Sequence, residues 1–174
     1  MRFSDFLKAT VLISAAAATA LAAVTLAGAS ADGNNRLVYI GAGWWLLAAI
    51  VGAWMGRRRE TTAQIARLLA TARNVRALPE LRPGTILINR LWPLLLCTIS
   101  AGALAFAAPQ VPAIATGFAV IWALAWRRQE GAVAAIEERD GVRFYVERTS
   151  PVKPMQLVRT PGFGGQFLNV PGAS

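Results

Sequence analysis

The sequence contains no histidine and a single cysteine, Cys97. One cysteine excludes an intrachain disulfide, and the common zinc sites need several Cys and His ligands together. A Ser/His or Cys/His catalytic dyad is excluded by the same count. The chain also lacks the glycine-rich Walker-type phosphate loop. We therefore expect no catalytic residue, no cofactor and no metal site.

Charged residues are absent from four long apolar stretches. These are residues 9–29, 37–55, 91–108 and 111–126. A helix of about 20 residues spans about 30 Å, which is the thickness of the hydrocarbon layer of a bilayer. The last two stretches have only about 16–18 residues, and they cross if their helices extend by a turn or the bilayer thins locally. The sequence predicts an all-α integral membrane protein whose residues 1–128 form a domain of four transmembrane helices.

The connections between these stretches differ in length. Residues 30–36 form a polar turn, and Pro109 and Pro112 bound a tight turn between the third and fourth stretches. The middle connection, residues 56–90, is long and rich in arginine. The four helices are therefore predicted to form two hairpins on either side of this connection.

Lysine is rare, since 16 of the 18 basic residues are arginine. Together with the heavy use of alanine, this composition is typical of a GC-rich bacterial genome. Basic residues of short loops stay on the cytoplasmic side of a membrane. With a cytoplasmic amino terminus, 17 of the 18 basic residues lie inside and only Arg36 lies outside. The prediction is a multi-pass protein of the bacterial inner membrane with both termini cytoplasmic and with Trp44 and Trp45 near the outer interface.

The first apolar stretch has a second interpretation. Arg2 and Lys8 precede it, and Ala29-Ser30-Ala31 matches a signal-peptide cleavage site. Its length and the acidic Asp5 favour a retained span instead. Cleavage would leave three spans in the mature protein, and retention would leave four.

The cytoplasmic parts are predicted to be residues 56–90 and 129–174. Apolar residues at helical spacing predict an amphipathic helix over residues 60–78. Its apolar face either packs on the inner end of the bundle or lies on anionic lipid. Beyond a helix that ends near Arg139, residues 142–148 and 155–160 have the pattern of a short β-hairpin. The acidic residues between 130 and 140 are expected to dock on the basic connection.

Two sets of residues are candidates for contacts rather than for chemistry. The residues of the first set are small and follow the spacing at which helices pack closely. They are Ala48, Gly52, Gly56, Gly102, Ala115, Ala119 and Ala123. These residues pack either inside one bundle or against another membrane subunit. The second set is predicted to contact lipid headgroups or a partner and comprises Arg57, Arg58, Arg59, Arg67, Arg73, Arg76, Arg127 and Arg128.

These features predict a non-enzymatic membrane protein that acts by contact, as an accessory, assembly or scaffold subunit. The expected partners are the lipid bilayer, including anionic lipids, and other membrane subunits or a second copy. Nucleic acid is not expected, because the arginine-rich connection lacks interleaved aromatic residues. The alternative function is a small homo-oligomeric channel or transporter, lined by hydroxyls of the first and fourth spans. However, helix hydroxyls can bond to their own backbone, and Cys97 is expected to be a small buried apolar side chain.

Overall fold

The structure is a computed structural model that describes residues 1–31, 33, 35–55, 63–74, 83–147 and 156–161. Its helices are α1 (Phe3–Ala31), α2 (Asn35–Met55), α3 (Ala63–Ala70), α4 (Pro83–Ala103) and α5 (Gln110–Asp140). A 3₁₀ turn, Leu104–Phe106, follows α4. The strands are β1 (Arg73–Asn74), β2 (Val142–Val146) and β3 (Leu157–Pro161).

The ends of the long helices follow from local chemistry. Asp5 lies in the first turn of α1, where a carboxylate favours the positive end of the helix dipole. Pro109 and Pro112 stand at the start of α5, where a missing backbone N–H costs nothing. Gly141 ends α5 with a left-handed φ of 58°, and its N–H donates to the carbonyl of Glu137.

Three helical segments in the described part of the chain are long and apolar enough to cross a membrane. They are Phe3–Ala31, Asn35–Met55 and Gly84–Phe106. The prediction of a mostly helical, multi-pass membrane protein is therefore confirmed. The fourth predicted span, residues 111–126, occupies the first half of α5, and α5 is not among the three. The apolar part of α5 is short, because Arg127 and Arg128 follow directly after Trp126.

The helices bury small side chains and expose large ones. Ala48, Gly52 and Ala119 are buried, whereas Ile99 and Phe118 are exposed and Phe106 is 97% exposed. Such an arrangement would be unstable in water, which penalises large exposed apolar surfaces. In hydrocarbon it is favourable, because helices there associate by close approach and large side chains can face the lipid.

The helices do not pack mainly as two sequential hairpins. α5 makes its largest contacts with α1 and α2, whereas α1 contacts α2 less and α4 contacts α5 less. α5 runs antiparallel to α1, since Lys8 of α1 pairs with Glu130 near the far end of α5. It runs parallel to α2, because Gly41 lies beside Ala113 and Gly52 lies beside Leu124. α5 is therefore the common partner of the first two helices.

The strands form one small sheet with the order β1-β3-β2. β2 and β3 are antiparallel, with Val146 opposite Leu157, so the predicted hairpin of the tail is confirmed. β1 adds in parallel to β3, with Arg73 opposite Val158. Arg2 adds an antiparallel bridge to Tyr145 on the other side of β2. The predicted helix 60–78 is too long, because α3 ends at Ala70 and the chain then enters β1.

Candidate functional site

The sheet lies at the end of the bundle where α1 and α4 begin and α5 ends. Residues 1–8, 63–74, 83–91, 130–147 and 156–161 are called the sheet unit below. This unit contains a cluster of buried, mostly large apolar side chains: Phe3, Phe6, Leu7, Ile65, Ile86, Leu91, Val133, Val142, Phe144, Val146 and Leu157. Burial of such a side chain away from water contributes about 1.5–3 kcal/mol. A core of this kind is typical of a protein surrounded by water, so we assign the sheet unit to the aqueous side of the bundle.

The core also fixes the orientation of α3. Ile65 is only 4% exposed, and Leu68 and Leu69 pack against the same cluster. Arg67 is exposed on the other side of the helix. Because its apolar face is occupied by protein, α3 follows the first of the two interpretations, packing on the end of the bundle.

The outer edge of β2 is closed by the chain itself. The N–H of Phe144 donates to Oε1 of Glu137 at 3.1 Å, and the N–H of Val146 donates to the carbonyl of Met1, also at 3.1 Å. Both donors point away from β3, so they would otherwise be free to bind another strand. Because both N–H groups are hydrogen-bonded within the chain, this edge of β2 is protected from pairing with a strand of another protein.

Two acidic residues of α5, Glu130 and Asp140, have ion-pair partners within the chain. Nζ of Lys8 lies 3.8 Å from Oε1 of Glu130 and ties α1 to α5. Nε of Arg139 donates to Oδ1 of Asp140 at 2.8 Å, and this hydrogen bond holds the pKa of Asp140 below its ordinary value. In the described part of the chain these carboxylates therefore bind α1 and their own helix. The expected docking on the basic connection stays a prediction.

Five of the predicted packing residues lie in α2 and α5, and four of these five are buried. Ala48 is fully buried, and a Cβ placed on Gly52 would lie 3.0 Å from Cδ1 of Leu124 and 3.2 Å from the Cα of Ile121. Ala119 and Ala123 are buried and Ala115 is half-buried. Ala48, Gly52, Ala119 and Ala123 therefore pack inside the chain, whereas contact with a second subunit stays a prediction.

Two other packing residues are placed differently. A Cβ on Gly102 would meet no atom within 4 Å, so no other helix approaches this position closely. Gly56 lies outside the described residues.

Four of the eight arginines predicted to contact lipid headgroups or a partner lie among the described residues. Arg127 and Arg128 are exposed where the apolar half of α5 ends, and Arg67 is exposed on α3. Arg73 lies in β1. The remaining four fall outside the described residues: Arg57, Arg58, Arg59 and Arg76.

The contact between two adjacent tryptophans and α5 was not foreseen. Nε1 of Trp44 donates to the carbonyl of Ile114 at 3.1 Å, and Nε1 of Trp45 donates to the carbonyl of Ala113 at 2.8 Å. A Cβ on Gly117 would overlap the indole of Trp44, so only glycine leaves room for this ring. Both indole N–H groups therefore donate to backbone carbonyls of α5, and the predicted position of the two rings near the outer interface stays a prediction.

The hydroxyls of the spans are structural. Each of the following residues donates to the carbonyl four residues earlier: Thr10, Ser14, Thr19, Thr25, Thr98 and Thr116. The prediction that they bond to their own helix is confirmed. Four of them, Thr10, Ser14, Thr25 and Thr116, are buried in α1 and α5. Cys97 is exposed on α4, so the expectation that it is buried was wrong.

Within the described residues, no three Asp, Glu or Cys side chains come together as metal ligands. No family model, curated protein or solved structure matches this chain. Its function therefore has to be argued from the bundle and the sheet unit.

Proposed function

We propose that this chain is a four-span protein of the bacterial inner membrane that acts by contact, as an accessory, assembly or scaffold subunit of a larger membrane complex. In this proposal α5 is the fourth span. Support comes from its alignment with α2, since Gly41 lies beside Ala113 and Gly52 lies beside Leu124. The apolar half of α5 thus runs alongside most of a helix that is itself long and apolar enough to cross.

The sheet gives a second reason for four spans. β1 belongs to the connection between α2 and α4, whereas β2 and β3 follow α5. Because β1 pairs with β3, the two strands lie on the same side of the membrane. If α4 crosses away from that side, the chain has to return through α5. The pairing therefore supports an even number of crossings between β1 and β3.

The same reasoning supports retention of α1 as a span. Arg2 pairs with Tyr145, and Phe3, Phe6 and Leu7 belong to the core of the sheet unit. Cleavage after Ala31 would remove these residues together with the main packing partner of α5. The positive-inside rule then orients the bundle with the sheet unit and both termini in the cytoplasm. Arg67, Arg127 and Arg128 are the described candidates for contact with anionic headgroups.

The sheet unit is the observation that carries the contact function. It combines segments that belong to α1, to the middle connection, to α4 and to the tail, so the unit is fixed to the bundle at several points. Its exposed side chains include charged ones, at Arg2, Arg143 and Arg159. A fixed charged surface next to the membrane suits recognition of a cytoplasmic part of another subunit. The non-enzymatic part of the proposal rests on the residue types of the sequence.

The alternative function, a homo-oligomeric channel or transporter, has less support than the contact function. Its proposed lining, the hydroxyls of the first and fourth spans, is buried at Thr10, Ser14, Thr25 and Thr116. Each of these hydroxyls already donates to its own helix. Since α1 and α5 pack on each other, their shared face is not available to line a pore between copies.

Site-specific photo-crosslinking in intact membranes tests the contact function. A photoreactive residue at Arg143 or Arg159 reports on the sheet unit, and one at Ile99, which is exposed on α4, is the lipid-facing control. We expect one protein partner to be captured from the sheet unit and to remain bound at a fixed ratio in native mass analysis of gently solubilised membranes. A lone chain in native mass analysis, with no protein captured from either position, would contradict the proposal.

A further inference from the structure

α5 combines the most extensive packing in the bundle with the weakest apolar signal. The other three long helices provide segments that are long and apolar enough to cross by themselves, and α5 does not. Yet α5 is the main partner of both α1 and α2. The helix that completes the bundle is therefore the one least suited to enter a bilayer alone.

The composition of α5 explains this mismatch. The large apolar side chains that are most exposed in its membrane half, Ile114, Phe118 and Trp122, lie on the lipid-facing side. The buried side of the same half has small residues, which add little to the free energy of transfer into hydrocarbon. These residues are Pro112, Ala113, Thr116, Gly117, Ala119 and Ala123. The apolar half also ends early, at Arg127 and Arg128.

The inner side of α5 instead fits its two neighbours. Two indole N–H groups of α2 bind the carbonyls of Ala113 and Ile114. Gly117 provides the space for the ring of Trp44, and Leu124 approaches Gly52. These contacts exist only when α5 lies in the membrane beside α2. They favour the inserted form of α5 over a form left at the surface.

We infer that α5 crosses the membrane because it packs on α1 and α2, and not because of its own apolarity. This inference rests on the four-span topology proposed above. If packing on α2 is weakened, part of the chains should fail to insert α5. In those chains α4 has crossed outward without a return, so the carboxyl terminus lies outside. The strands β2 and β3 are then separated from β1.

A matched pair of substitutions in α2 tests this dependence without changing α5. Gly52→Leu places a large side chain where Cβ alone would contact Leu124 and Ile121, whereas a Cβ on Gly43 would meet no atom within 4 Å. Both substitutions add the same apolar group to the same helix. A reporter fused after Ser174 in the full chain measures the fraction of carboxyl termini on each side. Pulse labelling immediately after synthesis keeps later degradation from altering that fraction.

We expect the wild-type terminus to be inside, and Gly43→Leu to leave it there. Gly52→Leu should raise the outside fraction about tenfold, which corresponds to about 1.4 kcal/mol. Gly117→Leu distinguishes insertion by packing from insertion by apolarity, because it makes α5 more apolar and at the same time blocks the position of the Trp44 ring. It should also raise the outside fraction, whereas insertion by apolarity requires no change or a fall. An inside terminus in all variants overturns the inference, and an outside terminus in the wild type overturns the topology itself.

Discussion

Gly117→Ala is the smallest change that tests the packing of α2 on α5. The new Cβ would overlap the indole of Trp44, and that ring cannot retreat without losing two contacts. One is the hydrogen bond to the carbonyl of Ile114, and the other is the edge-to-face contact with Phe118 at 5.6 Å between ring centroids. The change therefore combines overpacking with the loss of a hydrogen bond.

The expected change in the free energy of unfolding has three contributions, of which two are destabilising and one is stabilising. Overpacking costs about 1–3 kcal/mol, and the lost hydrogen bond costs about 1 kcal/mol. Replacement of glycine by alanine inside a helix returns about 1 kcal/mol. The net effect is a destabilisation of about 1–3 kcal/mol, or roughly 2–4 °C in melting temperature for each kcal/mol. Thermal unfolding of the purified protein in detergent measures it.

Two other glycines provide controls for the same substitution. Gly131 lies in the same helix and Gly43 in the partner helix, and a Cβ on either meets no atom within 4 Å. Gly131→Ala and Gly43→Ala should be neutral or stabilising by up to about 1 kcal/mol. A double-mutant cycle with Trp44→Phe should show that the smaller ring lowers the cost of Gly117→Ala. A Gly117→Ala protein as stable as the two controls would refute the described contact.

Two further predictions concern α1. Leu7→Ala should destabilise the protein by about 2–5 kcal/mol in detergent unfolding, because Leu7 is fully buried in the core of the sheet unit. Leu12→Ala, five residues later and 69% exposed, should cost far less, and equal losses would argue against separate aqueous and lipid-facing surroundings. The mass of the protein purified from membranes should include residues 2–31, because α1 supplies the core of the sheet unit and the partner of α5. A mature chain that begins at Asp32 would contradict retention of α1.

The long helices were predictable because the absence of charge over a membrane's thickness is a strong signal. Their partners were not, since small residues occur throughout this alanine-rich chain and match many helix pairs equally well. The ridge of Ala48 and Gly52 was noticed, but its partner on α5 was not. Gly117 and Trp44 belong to different helices, and no spacing along the chain relates them. Their contact depends on the register between α2 and α5.

The sheet shows a similar limit. β2 and β3 have the alternation of a hairpin, so their residues signal their structure. β1 has only two residues, and the contribution of Arg2 is a single bridge. Segments this short become strands only because β2 and β3 offer them hydrogen-bond partners. Such pairing is a property of the assembled fold, which residue patterns near Arg73 or Arg2 do not reveal.

The buried side chains of α1 and α5 change from large to small along each helix, and this change predicts where the membrane surface lies. In α1 the buried residues are large at Phe3, Phe6 and Leu7, and from Thr10 onward they are mostly small, with Leu21 as a large exception. In α5 the same change runs the other way, from small Ala123 to Val133. Large side chains gain free energy from burial when water is the alternative, but they gain little when lipid is the alternative. In each helix the change occurs around the pair of Lys8 and Glu130. The polar surface of the membrane should therefore lie at this ion pair, with the sheet unit beyond it.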